Sequence, residues 1–274
     1  MRRFPAQALR AVQAAVLAAA LAGTAPVALA GRSCEPQKLT ARTLENGLAM
    51  AAQTLQALQA SGEKVVLLAR SGQDLTRYGL RYSHAAFAYQ VTDAAGLATW
   101  RVVHKLNACG TATSDIYRQG LGEFFLDDPW RYEAAWVAPP ADLQERLLRL
   151  VQDDAAMLRL HQRAYNMVSY PWSTRYQQSN QWVIETLAMA AEPGASTRET
   201  AQAWLRFKGY APTVLTIGTL ERLGARVTAA NIAFDDHPND KRFASHIETV
   251  TVDSVFAWLQ RAGLGKPTVT LRLP

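Results

Sequence analysis

Three side chains combine acid–base or nucleophilic chemistry with a setting that could use it: His84, His104 and Ser179. His84 comes five residues after Gly79 and opens the run Ser83-His84-Ala85-Ala86-Phe87-Ala88-Tyr89-Gln90. A histidine there could act as a general base, and a second imidazole on a neighbouring strand, His104, could hydrogen-bond it and set its tautomer. A nucleophile would then arrive from a helix N-terminus, where the dipole stabilises an anion. Ser179 and Asn180 open such a helix, and of the two only Ser179 could be the nucleophile. Each residue also has a structural reading. His84 and His104 fit as satisfied strand residues, and serine is a preferred helix N-cap.

Binding candidates cluster between the histidines and the chain end. Tyr165, Tyr170, Trp172 and Tyr176 crowd one loop with Asn166 and Ser173. They could line a groove for sugar or peptide, with Asn180 at its edge, or simply pack the loop. Asp235-Asp236-His237-Pro238-Asn239-Asp240 and His246 are metal-ligand types, but their spacing fits neither zinc nor EF-hand patterns, so a solvated acidic loop is expected. The chain has no phosphate loop, no glycine-rich dinucleotide turn and no Gly-x-Ser-x-Gly elbow. No cofactor is expected.

The elements that must position these residues follow from periodicity. Leu39–Leu58 repeats leucine at helical spacing and ends at Ser61-Gly62. Lys64–Arg70 is the apolar run of a buried strand. Ser83–Val91 and Ala98–Leu106 make a hairpin with Gly96 near its tip, Trp100, Val102, His104 and Leu106 sharing one face. Asp115–Phe125 is expected to be helical, Tyr132–Val137 a strand, and Asp142–Leu160 one amphipathic helix. Helices are also expected from Ser179 to Ala190, over Thr197–Phe207 and Pro212–Leu223, and over Val252–Gly263 with a cap at Thr251. Strands are expected over Ala225–Phe234 and in the alternating tail from Val269.

Composition bounds the class. The chain has 274 residues, 49% of them hydrophobic, enough to bury a sizeable core. Arg2, Arg3 and Arg10 precede and enter an alanine-rich apolar stretch ending in Ala28-Leu29-Ala30, the pattern of a signal peptide cleaved after Ala30. Of 29 basic residues, 3 lie in that leader, leaving 26 against 23 acids, a mature charge of +3. That balance gives no reason to expect nucleic-acid binding, and no membrane span is expected in the mature chain. Cys34 and Cys109 are the only cysteines. In an oxidising compartment they are most simply a disulfide, the competing reading being Cys109 as a free nucleophile. The expected site is the periplasm.

The order Gly79-x-x-x-Ser83-His84-Ala85-Ala86, a hairpin, then Tyr176-x-x-Ser179-Asn180-Gln181-Trp182-Val183 opening a helix resembles the circularly permuted papain-like proteins. These include lecithin-retinol acyltransferase-like and YiiX-like hydrolases, related to NlpC-type cell-wall peptidases. The similarity covers about residues 67–190. It implies an α+β fold in permuted papain-like order, a central antiparallel sheet with flanking helices, as one domain over 31–274. It places the family histidine on His84, the supporting polar residue on His104 and the nucleophile on Ser179, where the family has cysteine. The chain also resembles an uncharacterised exported bacterial family. Two functions follow. One is a ligand- or partner-binding envelope protein without cysteine-type catalysis. The other is an envelope hydrolase or acyl/peptidyl transferase using Ser179, His84 and His104. Peptidoglycan, lipid or another envelope component is the expected partner.

Overall fold

The computed structural model describes residues 40–273 except 93 and 128. The expected leader and Cys34 lie outside these residues. The fold is α+β. Helix α1 (Ala41–Ser61) starts in a capping box made by Thr40 and Thr43 and stops at Gly62, whose φ of 70° glycine adopts without strain. Strand β1 (Val65–Ser71) is buried throughout. It is followed by β2 (His84–Thr92), β3 (Ala98–Asn107), β4 (Ser114–Gly120), the short α2 (Leu121–Leu126) and β5 (Arg131–Val137). Helices α3 (Ala141–Gln152), α4 (Asp154–Leu158), α5 (Ser179–Ala191) and α6 (Arg198–Phe207) come next. Then follow β6 (Thr213–Thr216), α7 (Thr219–Thr228), α8 (Asn239–Phe243), β7 (His246–Thr249), α9 (Val252–Arg261) and β8 (Val269–Arg272).

Six strands form one antiparallel sheet in the order β4-β3-β2-β1-β5-β8, while β6 and β7 pair separately. Side chains alternate across the sheet, so the inner strands β1, β2, β3 and β5 feed two cores. One face carries Val65, Leu67, Ala85, Phe87, Val103 and Ala135 and packs on α3, α5 and α9 through Leu147, Trp182, Val183 and Leu259. The other carries Val66, Leu68, Ala86, Ala88, Val102 and Trp136 and packs on α1 and α2 through Met50, Leu58, Phe124 and Phe125. A third, smaller core gathers Leu215, Ile217, Ile232, Phe234 and Ile247 around the β6–β7 pair.

Several expected elements are redrawn. Asp115–Phe125 is not one helix. Ser114–Gly120 is edge strand β4, His104 opposite Tyr117, and only Leu121–Leu126 is helical. Asp142–Leu160 breaks at Asp153, whose carboxylate accepts from the Ala156 amide and starts a new helix. Within Pro212–Leu223, the β-branched Thr213, Val214 and Thr216 form strand β6, and the helix begins only after Gly218. Ala225–Phe234 is no strand: its first residues end α7 and the rest turn. The acidic loop expected to be solvated closes in α8 and is not solvated throughout: the side chains of Asp236 and His237 are buried and bonded to each other, Asp236 also accepting from the Tyr170 amide.

Candidate functional site

The hairpin brings the two histidines together. His84 Nε2 lies 2.8 Å from His104 Nδ1, and His104 Nε2 lies 2.8 Å from Gln119 Oε1 on β4. Gln119 Oε1 only accepts, so His104 Nε2 carries its proton, His104 Nδ1 is the acceptor, and His84 Nε2 donates to it. Around them Phe124 of α2 sits at ring distances of 6.0 Å from His84 and 5.5 Å from His104, with the Arg70 guanidinium 4.7 Å over the same phenyl ring. Arg70 is directly opposite His84 in the β1–β2 register, and it binds the Phe124 carbonyl and the Asp127 carboxylate. Burial lowers the His84 pKa well below its usual value, with the Arg70 cation and then His104 adding to the shift. His104 is lowered to about 4 by burial and then Arg70, against the hydrogen bond to Gln119. Both rings are neutral at physiological pH, which suits this relay of one-way hydrogen bonds.

Ser179 is not brought to this pair. His84 shares its face with Ala86 and His104 with Val102, on the side of α1 and α2, whereas α5 covers the face of Ala85, Phe87 and Val103. Phe87 meets Trp182 of α5 edge-on at 5.9 Å. The sheet therefore stands between the imidazoles and the helix bearing Ser179. Because the strand period is two, a histidine one position later would face α5; that place is taken by Ala85. Ser179 is buried and hydrogen-bonded to Tyr165, whose own pKa is raised by burial and partly offset by this bond. Asn180 has a structural task. Its Oδ1 accepts from the Ala85 amide at 2.9 Å, and its Nδ2 approaches the carbonyls of Ser83 and Val250, pinning the start of α5 to the start of β2.

The four loop aromatics do not share one groove. Tyr165 lies in the large core. Tyr170 contacts His237 at 5.3 Å and Lys241, with its amide donating to Asp236. Tyr176 lies beside Arg175, with Asp235 nearby. Trp172 lines a cleft. It forms, with Thr174 on the loop and Glu199, Gln202, Ala203 and Arg206 on α6, a depression of about 260 Å³. Glu199, Gln202, Ala203 and Arg206 repeat at helical spacing, so one face of α6 makes one wall and the loop makes the other. The Arg206 guanidinium lies 4.4 Å from the centre of the Trp172 ring.

Behind that cleft is a buried polar hub that the sequence reading missed. The Glu185 carboxylate, fully buried on α5, accepts from Arg198 Nε (2.8 Å) and Nη2 (3.1 Å), and from the side-chain amides of Gln177 (2.6 Å), Gln202 (2.7 Å) and Gln181 (3.2 Å). Arg198 also donates to the carbonyls of Ser173, Thr174 and Tyr176, fastening the aromatic loop. Gln177 continues the network to Lys105, whose ammonium is shared among Gln177, His161 and the Gln162 carbonyl. Burial, reinforced by the Arg198 charge, lowers the Lys105 pKa to about 7. The available signal was Gln177, Gln181 and Glu185 at spacing four beside Trp182, Val183 and Leu187. A polar row on a helix otherwise built to be buried must be paired inside.

A family model described as uncharacterised protein conserved in bacteria, DUF2145, matches residues 57–259, that is 203 of the 274 residues. The chain belongs to the DUF2145 family. No curated protein and no solved structure matches it. The matched segment of this DUF2145 protein spans the histidine hairpin, the Glu185 hub and the Trp172 cleft, and ends within α9. Among the described residues no group of three or more His, Cys, Asp or Glu side chains is placed to hold a metal ion, and no helix is long and apolar enough to cross a membrane.

Proposed function

We propose that this DUF2145 protein is an exported, ligand-binding protein of the bacterial envelope whose ligand enters the cleft between α6 and the aromatic loop. The observation that carries the reading is Arg206 stacked over Trp172 in that cleft. A guanidinium on an indole keeps its in-plane N–H groups available, the arrangement suited to a carboxylate next to an apolar or sugar surface. Thr174, Glu199 and Gln202 add polar groups beside it. A peptide carrying a free carboxylate and amides fits this chemistry, and peptidoglycan stem peptides are the envelope component of that class. The leader ending at Ala30 would deliver the chain, as one domain from residue 31, to the periplasm. Cys34 would pair there with Cys109, consistent with the lack of a free cysteine among the described residues.

The test is co-sedimentation with purified peptidoglycan and titration with soluble muropeptides. Trp172→Ala and Arg206→Gln should each weaken binding about tenfold, the size expected for losing one stacked aromatic or one charge-assisted pair. Wild-type protein that binds neither probe, or variants that bind as wild type does, would refute the reading.

The hydrolase alternative retains one supporting observation: His84 and His104 are hydrogen-bonded as a base and its orienter would be. It also requires the permuted papain-like arrangement to present Ser179 to His84, and the sheet lies between them. Fluorophosphonate labelling lost in both Ser179→Ala and His84→Ala would establish it; no labelling leaves the binding reading alone.

A further inference from the structure

Helix α7 presents its apolar side to solvent. Leu220, Leu223 and Val227 are 85%, 62% and 80% exposed and recur at i, i+3 and i+7, one stripe of a ten-residue helix. The opposite side is the anchored one. Arg222 is buried and donates to the Ile217 carbonyl and to Thr219. The hydrogen bond from the Ile217 amide to the Ser245 carbonyl, 3.1 Å, sets the start of α7 beside the turn that closes α8. There Phe243, 70% exposed, adds a ring to the apolar surface.

We propose that this ridge docks on an anionic lipid surface. Two arguments select that occupant. The first is charge. Arg226 flanks the stripe on the side of Leu223 and has no carboxylate partner among the described residues, while the helix's one acid, Glu221, is neutralised by Arg77. Exposed aliphatic groups bordered by a free cation match the boundary between acyl chains and acidic headgroups. The second is area. Two leucines, a valine and a phenylalanine present on the order of 400–500 Å². A stable pair of proteins needs about 800 Å² from each partner. The ridge alone supplies little more than half of that, whereas a bilayer asks for no complementary shape. The stripe would enter the interface with the helix lying flat, and none of its residues lines the Trp172 cleft.

Vesicle co-sedimentation of the purified protein tests this, comparing phosphatidylcholine vesicles with vesicles that also contain phosphatidylglycerol. Wild type should bind the anionic vesicles preferentially, and added salt should weaken the binding. The triple variant Leu220→Ser, Leu223→Ser, Val227→Ser should lose at least about tenfold in partitioning, and Arg226→Gln about fivefold with a shallower salt dependence. Circular dichroism checks the fold; should the triple variant misfold, Leu220→Ser alone, at the most exposed position, should still lose severalfold. Wild type that ignores anionic vesicles, or serine variants that bind equally well, would overturn the proposal. So would sedimentation velocity showing a wild-type dimer that the serine variants dissociate, which would assign the ridge to a second copy.

Discussion

Glu185→Gln keeps the shape of the side chain and removes its charge. The substitution leaves Arg198, 8% exposed on its side chain, as a cation without its counter-ion in the interior. It also turns an amide N–H₂ toward donors, because every partner of the carboxylate donates: Arg198 twice, and Gln177, Gln181 and Gln202 once each. Removing one member of a buried ion pair costs about 3–5 kcal/mol. For a chain of this size each kcal/mol lowers Tm by about 2–4 °C, so a fall of roughly 10 °C is expected in thermal unfolding followed by circular dichroism. The damage should have a location. Arg198 holds the carbonyls of Ser173, Thr174 and Tyr176, so hydrogen exchange in 173–176 should quicken and any ligand of the Trp172 cleft should bind more weakly. Adding Arg198→Met should restore part of the loss, since the isolated charge disappears. A Tm within about 2 °C of wild type, or a double variant whose loss equals the sum of the singles, would refute the view that Glu185 and Arg198 form one coupled centre.

Stability should climb with pH through two separate windows. His104 has a folded pKa of about 4 against an ordinary 6.5, so the unfolded chain binds the extra proton between those values. Its contribution is complete above pH 6.5 and is lost as pH falls toward 4, by about 3 kcal/mol in all. His84 is shifted in the same direction and adds to the slope. Lys105, lowered to about 7 from an ordinary 10.5, makes the fold gain stability again as pH rises above 7, by roughly 2 kcal/mol between pH 7 and 9. Urea unfolding at a series of pH values reads both slopes. His104→Gln should flatten the acid limb, Lys105→Met the alkaline one, and unchanged slopes would contradict the assignments. For the cysteines, intact mass of the exported protein should rise by about two hydrogens on reduction. Cys109→Ser should cost at most about 4–5 kcal/mol, as expected for so long a closed loop, and free thiols in the untreated protein would refute the pairing.

The elements that were legible in the sequence are those with a plain apolar pattern between clear turn signals. The β2–β3 hairpin is two largely apolar runs split by the turn at Gly96, and α1 repeats leucine before Gly62, so both stand within a few residues of where the pattern puts them. The misread stretches lacked a clean period. Strand β4 is an edge strand with one side wet, and its Asp115, Tyr117 and Gln119 gave no apolar alternation to find. At 212–223, a four-residue strand and a helix meet at Gly218, and the helix carries its leucines outward, so the apolar residues do not mark the buried side. Asp153 looked like an ordinary helix-face residue, yet its carboxylate caps the next helix. The histidine pairing was readable because Trp100, Val102 and His104 share a parity. The face on which the pair lies was not, since that depends on which helix covers which side of the sheet.

That choice of face decides what the His84 region can do. A catalytic imidazole needs an open nitrogen on the side where substrate and nucleophile meet. Here His84 Nε2 is committed to His104 and His104 Nε2 to Gln119, with Phe124 beside both rings beneath Arg70, which leaves the His84 lone pair on Nδ1, on a face of the sheet that Ser179 does not reach. The cation and the two neutral imidazoles support one another. Protonating either ring would place a second positive charge beside Arg70, which is why its charge depresses both pKa values. On the other face, the pocket that a nucleophile would need behind Ala85 is occupied by Asn180, and Ser179 is bonded to Tyr165. The polar groups at this point on the α5 face are therefore partnered on their own side of the sheet, away from the imidazoles. The polar machinery with an exit to solvent runs instead from Lys105 through Gln177 and Glu185 to Arg198 and the loop carrying Trp172. An ordered loop held by a buried carboxylate is a costly arrangement for a surface with no task. Under the binding function proposed above, the hub would hold Trp172 and Arg206 in register for the ligand.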